Sequence, residues 1–445
     1  MTNGLERLSL SANRHYLQTE SGAPFFWLGD TAWNLFHLLS YEEAEHYFAT
    51  RAQQGFTVIQ AVLISEHDAL FEAYNGGQAL YDDDPLKPNL AYFDRVDAYL
   101  ELALKYGLYI AVLPTWGHKV FPMWTKNQPV FTPENAFAYG QFVGKRFARH
   151  SHLIWCLGGD RPPVYEGQDF RPVWRAIASG IKEHDSKTLM TYHPSGSSWT
   201  SATLQEEDWL DIHMMQSGHG AGHDYPVWNW IARDWELSPI RPSLDAEPNY
   251  EDHPVNPWPN WNPENGYFRD HDVRKQCYRS VFAGGCGVTY GHHFVWQMYD
   301  PKRQPINNGN ELICWQDALR RPAAEQLRYL RKLIESRPQF VRQPDQSLLD
   351  YLSTGRHEYP VATRDESGSY AFIYLPLYTK FRVNTAQLSG DTLVAWWYNP
   401  RTGSSQEIAS FPKLDKLTFT TPTDGPDWVL VLDDKAANYL PPGQA

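Results

Sequence analysis

Two acidic segments, LGGD at 157–160 and LDAE at 244–247, each end an apolar run with a carboxyl group. A pair of this kind can divide the work of breaking a glycosidic bond. One carboxylic acid protonates the leaving oxygen, while the other carboxylate attacks the carbon or activates water. Asp160 and Glu247 are therefore the candidate catalytic residues. Gly158 and Gly159 allow a tight turn and close approach to a ligand before Asp160, and Pro248 stiffens the chain after Glu247. Arg161 and Arg241 are expected to reach one or other carboxylate. Asp245, two residues before Glu247, should share its face of a strand and act as a deeper, supporting residue.

The other carboxylates that fall near the ends of apolar runs are Asp30, Glu66 and Asp68. Asp30, between Trp27 and Trp33, is placed to hold hydroxyl groups, with a structural hydrogen-bonding role in the mouth as the competing reading. Aromatic residues make up 15% of the chain, with 18 Trp, 26 Tyr and 21 Phe. Such an excess suits a ligand with flat C–H faces and many hydroxyls, because aromatic rings stack on the former while fixed polar groups bind the latter. Trp33, Trp116 and Trp296 are the candidate stacking residues. His193, Gln216, His292 and His293 are candidate hydroxyl ligands, with core packing as the competing role for each.

Competing chemistries leave weaker traces. Seventeen His invite a metal reading, and His193, His213 and Asp245 could imitate a metal site. There is, however, no HxH after the first apolar run, no suitably placed lysine and no HExxH helix. No metal or other cofactor is expected. The GxSxG elbow, the phosphate-binding loop and the GxGxxG fingerprint are all missing. GGCGVTYG (284–291) is glycine-rich but leads into a strand, where it reads as close packing.

These residues need a scaffold that brings separate segments to one place. From Phe25 to about Phe340, short apolar runs alternate with longer amphipathic ones eight times, the signature of repeated β-α units on a parallel sheet. The strands are read as 25–33, 57–64, 108–117, 152–160, 189–196, 211–218, 239–248 and 287–296. Helices lie between them; one is capped by Ser40 with Glu43 three residues on, and another is opened by Thr132–Pro133. Gly218 to Pro239 reads as aromatic and only loosely helical. The expected fold is α/β, a (β/α)8 TIM barrel over 1–344. In such a barrel the active site lies at the C-terminal strand ends, and the fourth and seventh strands, bearing Asp160 and Glu247, face each other. After Pro344 short alternating segments such as SYAFIYLP and DWVLVLD, with an NPRTG turn, predict an antiparallel β-sandwich over 345–445.

A formal net charge of -13 and the lack of any Lys/Arg run exclude nucleic acid and anionic membrane as partners. The N-terminal residues lack the features of a secretory signal, and no run is apolar enough to span a bilayer. Four scattered Cys read as free thiols. A cytoplasmic location is expected, or a periplasmic or secreted one if a signal has been removed. Oligomeric state is not readable.

With FFWLGDTAW at the first strand, IWCLGGDRP at the fourth and LDAEPNYE at the seventh, the chain resembles the apiosidase-like barrels of glycoside hydrolase family 140. Its C-terminal part is similar to a domain often labelled collagen-binding. The resemblance implies Asp160 as acid/base, Glu247 as nucleophile, and cleavage of apiosyl bonds in plant glycosides or pectic side chains. In the wider retaining clan the fourth-strand acid is usually Glu preceded by Asn, whereas here it is Asp preceded by Gly. The shorter side chain makes the carboxylate separation decisive, since about 5–5.5 Å accompanies retention and about 6.5–9.5 Å inversion. Retention is expected. Another pentose or hexose as substrate, and a non-catalytic glycan- or matrix-binding protein, remain the alternatives. Loops 66–88 and 218–239, which would choose the substrate, carry no readable code.

Overall fold

The computed structural model describes residues 4–67, 77–123, 128–220, 222–258, 260–306, 312–350 and 355–444. Asp68 lies outside them. Eight parallel strands run as expected: β1 Trp27–Thr31, β2 Val58–Val62, β3 Tyr109–Leu113, β4 Leu153–Gly158, β5 Met190–His193, β6 His213–Gln216, β7 Ser243–Asp245 and β8 Gly287–Tyr290. The ladder order is β5-β4-β3-β2-β1-β8-β7-β6. Between β5 and β6 no strand ladder forms. There the wall closes through Asp211 N–H to Met190 O (2.8 Å) and Thr191 Oγ1 to Ile212 O (2.8 Å).

All of these strand residues are buried, because the barrel interior covers one face and helices cover the other. Trp27, Val58, Val62, Ala111, Ile154, Cys156, Met214 and Leu244 fill the interior below the mouth. At least one helix follows each strand: α1 Tyr41–Gln53, α2 Leu90–Lys105, α3 Pro133–Phe147, α4 Arg171–Lys182, α5 Ser201–Leu204, α6 Val227–Trp235, α7 Asp270–Phe282 and α8 Pro322–Glu335, with single extra turns at Leu35–Leu38 and Trp315–Ala318. The Ser40–Glu43 capping box forms at α1, with Ser40 N–H donating to Glu43 Oε2 (2.8 Å) and Glu43 N–H to Ser40 Oγ (3.2 Å). The loosely helical aromatic stretch contains α6, a nine-residue helix. No described helix is long and apolar enough to cross a membrane.

The C-terminal part is a six-stranded antiparallel sheet, ordered Arg342–Pro344, Val361–Asp365, Tyr370–Leu375, Trp428–Asp434, Thr392–Tyr398 and Ser405–Pro412. Its layers are unequal. One face packs on a two-stranded sheet, Lys380–Asn384 with Lys416–Thr420. The other lies on the barrel, where Tyr374 stacks on Tyr278 of α7 (5.0 Å) and Phe372 on Phe282 (5.9 Å). Arg274 of α7 donates to both carboxylate oxygens of Asp427 at 3.0 Å, and Arg337 to both of Asp433 at 2.9 and 2.7 Å.

Candidate active site

Past β4 the chain makes three consecutive residues of positive φ, Gly158 (88°), Gly159 (108°) and Asp160 (53°). The two glycines are sterically required. A Cβ on Gly158 would lie 2.3 Å from His193 O, and one on Gly159 2.9 Å from the Trp116 ring. Gly159 N–H donates to His193 O (3.0 Å), tying the turn to the end of β5. Asp160, a non-glycine residue held in the left-handed region, is delivered into a cavity of about 810 Å³ with its side chain 26% exposed.

Glu247 faces it from beyond β7 and is nearly buried. Gln216 Nε2 donates to Glu247 Oε1 (2.7 Å), His193 Nε2 lies 3.2 Å from Oε2, and His219 Nε2 lies 3.4 Å from Oε1. The same imidazole of His193 turns Nδ1 toward Asp160 Oδ1 at 3.9 Å. One oxygen of each carboxylate and a ring nitrogen of His193 all lie within 4.8 Å of one another. That spacing would also accommodate a cation on one imidazole and two carboxylates.

The two carboxyl groups are driven apart in acidity. Burial and then the Glu247 charge push the Asp160 pKa up to about 7. Burial also acts to raise the pKa of Glu247, but the hydrogen bond and charge of His193, the charge of His219 and the Tyr250 hydroxyl outweigh it and hold it below the ordinary value. Burial opposes protonation of His193, yet its contact with Glu247 and the Asp160 charge raise its pKa on balance. Below about pH 7 the arrangement favours one protonated and one ionised carboxyl group, the division an acid and a nucleophile require.

Trp33, Trp116, Gln216 and Trp296 line the cavity as expected. Trp33 meets Trp116 edge-on at 5.0 Å and His193 at 5.1 Å. His193 is buried at the pair, where its ring contacts the carboxylates. Arg161 extends to Glu66 Oε1 (2.7 Å) and the carbonyls of Phe121 and Asp160.

Several expected placements are corrected. Asp30 does not reach the mouth. On β1, Trp27 points inward and Asp30 therefore outward, where it is fully buried and binds Arg51 Nε (2.6 Å) and the Tyr47 hydroxyl of α1. His292 is also fully buried away from the cavity, bonded to Asp252 Oδ2 (3.2 Å) and accepting from Phe294 N–H (3.0 Å). His293 is buried, ring to ring with His253 at 4.7 Å, and is not part of the cavity lining. Arg241 precedes β7 and so lies at the opposite rim, donating to the carbonyls of Leu210, Gln205 and Glu207. Asp245 does not share a face with Glu247, because β7 ends at Asp245 and the chain bends. It turns outward to Ser217 Oγ (2.5 Å), which also receives Gln276 Nε2 of α7 (2.9 Å). It also accepts the Glu247 N–H. The imagined metal trio is not assembled either, since His213 opens β6 and bonds to Thr200.

Sequence reasoning missed His219, Tyr250, His253 and Trp258, all in the lining. They come from the loops after β6 and β7. Tyr250 stands three residues after Glu247, and its phenol pKa is pushed far up by burial and the Glu247 charge. Gly218 N–H donates to Glu247 O (2.9 Å), fixing the loop that carries His219.

The chain is similar to known proteins along most of its length. Residues 11–341 match the family described as "Apiosidase-like, catalytic domain". Residues 343–433 match the "Putative collagen-binding domain of a collagenase". Among curated proteins nothing matches the chain. A crystal structure described as a glycoside hydrolase family 5 from Bacteroides vulgatus is 29% identical, with a TM-score of 0.86 over 98% of this chain and 97% of that one. A second, described as a glycoside hydrolase, is 30% identical, with a TM-score of 0.85 over 98% of each chain. With a family match spanning almost the whole barrel and these two folds alike from end to end, the chain belongs to the apiosidase-like family and is a glycoside hydrolase acting on a carbohydrate.

Proposed function

We propose that the chain cleaves apiosyl bonds of plant glycosides or pectic side chains with retention, using Asp160 as acid/base and Glu247 as nucleophile. The apiosyl specificity rests on the family match. The observation carrying the mechanism is the carboxylate pair: an Asp160 oxygen and a Glu247 oxygen lie within 4.8 Å. That proximity of one oxygen pair favours the closer, about 5–5.5 Å spacing of carboxyl groups that accompanies retention.

In the first step Asp160 gives its proton to the leaving oxygen as the Glu247 carboxylate attacks the anomeric carbon. The glycosidic C–O bond breaks, an ester bond to Glu247 forms, and Asp160 is left anionic. In the second step Asp160 takes a proton from water, whose oxygen attacks the same carbon and releases Glu247 as carboxylate. The buried Trp33 and Trp116 and the partly buried Trp296 offer flat faces to the sugar.

The test is a hydrolysis screen over aryl glycosides and apiose-bearing plant glycosides, with Asp160→Asn and Glu247→Gln as controls. Release of apiose by the wild type and its loss in both variants is the expected result. Turnover of another pentose or hexose in preference would replace the sugar and keep the mechanism. Ligand binding with no turnover on any glycoside would overturn the enzymatic assignment of the pair.

A further inference from the structure

Trp258 is 60% exposed, and no other tryptophan among the described residues is as open to solvent. A large apolar ring left in water is informative where it borders a ligand cavity, and Trp258 lines the same cavity as Asp160 and Glu247. It is also supported from behind. A Cβ on Gly220 would stand 3.3 Å from Trp258 Cζ3, so the indole lies close against the Gly220 backbone. The imidazoles of His219 and His253, 4.0 Å apart, approach it at 6.1 and 5.9 Å between ring centroids. Asn256 N–H donates to His219 O (3.1 Å), joining the loop that carries Trp258 to the loop after β6.

The position of the indole relative to the reacting centre defines what it can touch. His219 borders both groups, with Nε2 3.4 Å from Glu247 Oε1 and its ring centroid 6.1 Å from that of Trp258. Under the proposed function a sugar ring attacked by Glu247 sits beside Trp33 and Trp116, whose rings lie 5.1 and 6.1 Å from that of His193, which leaves Trp258 free to meet a further ring. The next ring of the same substrate would emerge toward the rim. A cavity of about 810 Å³ falls within the range that encloses a drug-sized ligand, larger than a single pentose.

We propose that Trp258 is a stacking platform for a second ring of the substrate, adjacent to the ring being cleaved. The ligand chemistry is a flat face of C–H groups or an aromatic ring, met by an indole already held in place, so that little ordering is lost on binding. This inference rests on the glycosidase reading of the site but not on the identity of the sugar. It makes the protein selective for glycosides of at least two rings.

The test uses the sugar the wild type cleaves fastest, in two arms. The first compares a methyl with a ring-bearing leaving group, sugar or aryl. The second compares one aryl leaving group on the single sugar and on the sugar extended by a further ring. With Trp258→Ala, the advantage that the second ring confers on kcat/KM is expected to fall about tenfold in one arm, through KM rather than kcat, and Trp258→Phe is expected to keep most of it. The arm that responds shows which side of the bond the platform serves. An unaltered ring advantage in both arms would overturn the proposal, as would an equal fall on the methyl glycoside. Thermal melts of both variants control for folding. If no apioside is cleaved, the sugar assignment fails while the two-ring comparison still stands on the sugar that is.

Discussion

His193 Nε2 stands 3.2 Å from Glu247 Oε2, and the opposite edge of the same ring faces Asp160 at 3.9 Å. The imidazole is buried between the two carboxyl groups, with Trp33 edge-on against it. A positive charge here favours ionised Glu247 at the start of the cycle and ionised Asp160 once Glu247 has become an ester.

Activity should therefore be bell-shaped in pH, with a definite sign for loss of His193. The working form has Glu247 ionised and Asp160 protonated, so kcat/KM falls on the alkaline side near pH 7, where Asp160 loses its proton. His193 lowers the pKa of both carboxyl groups. In His193→Gln both limbs should move to higher pH, read from kcat/KM profiles. Limbs that stay in place, or that move in opposite directions, would show that the ring carries no charge in the working enzyme.

Removing the acid should hurt most where the leaving group needs it most. Asp160→Ala is expected to lower kcat/KM about 100-fold or more on alkyl and sugar leaving groups, and far less on aryl leaving groups of low pKa. Steady-state rates across a leaving-group series check this. A loss of the same size on every substrate would remove Asp160 from the acid role.

The turn that carries Asp160 should tolerate no side chain. In Gly159→Ala the new Cβ would stand 2.9 Å from the Trp116 ring at a φ of 108°, displacing the carboxyl group. A misplacement on the order of 1 Å costs about 100-fold in rate. The expected variant is folded by circular dichroism, with a kcat loss of that order.

Because Asp160, His193 and Glu247 also have cation-binding spacing, chelation separates the two uses of the trio. Exhaustive dialysis against EDTA is expected to leave kcat unchanged. Loss of activity restored by one divalent ion would assign the trio to a metal.

The C-terminal sheet should behave as a buttress of the barrel. Asp427 is fully buried and holds Arg274 through two 3.0 Å hydrogen bonds. Asp427→Ala leaves that guanidinium short of its main partner, at about 3 kcal/mol. A lower urea midpoint with unchanged kcat is the expected outcome.

What the sequence made legible follows from burial. Strands covered on both faces appear as short apolar runs between amphipathic ones, so all eight, and with them Asp160 and Glu247 at the ends of two of them, could be placed. Those same runs conceal which face points inward. Asp30 was misplaced for this reason, although its odd spacing from Trp27 held the answer. Asp245 was misplaced by the opposite error, since alternation was carried past the end of β7, where the chain bends. His219, Tyr250, His253 and Trp258 sit in loops whose paths obey no periodicity, and only their closeness to strand ends six and seven hinted at them.

The most direct measurement is proton NMR of the sugar anomer first released from a substrate of known configuration, before mutarotation. A double-displacement reaction by Asp160 and Glu247 gives the anomer with the configuration of the bond cleaved. Immediate appearance of the opposite anomer would contradict Glu247 as the nucleophile and require a water between the two carboxylates.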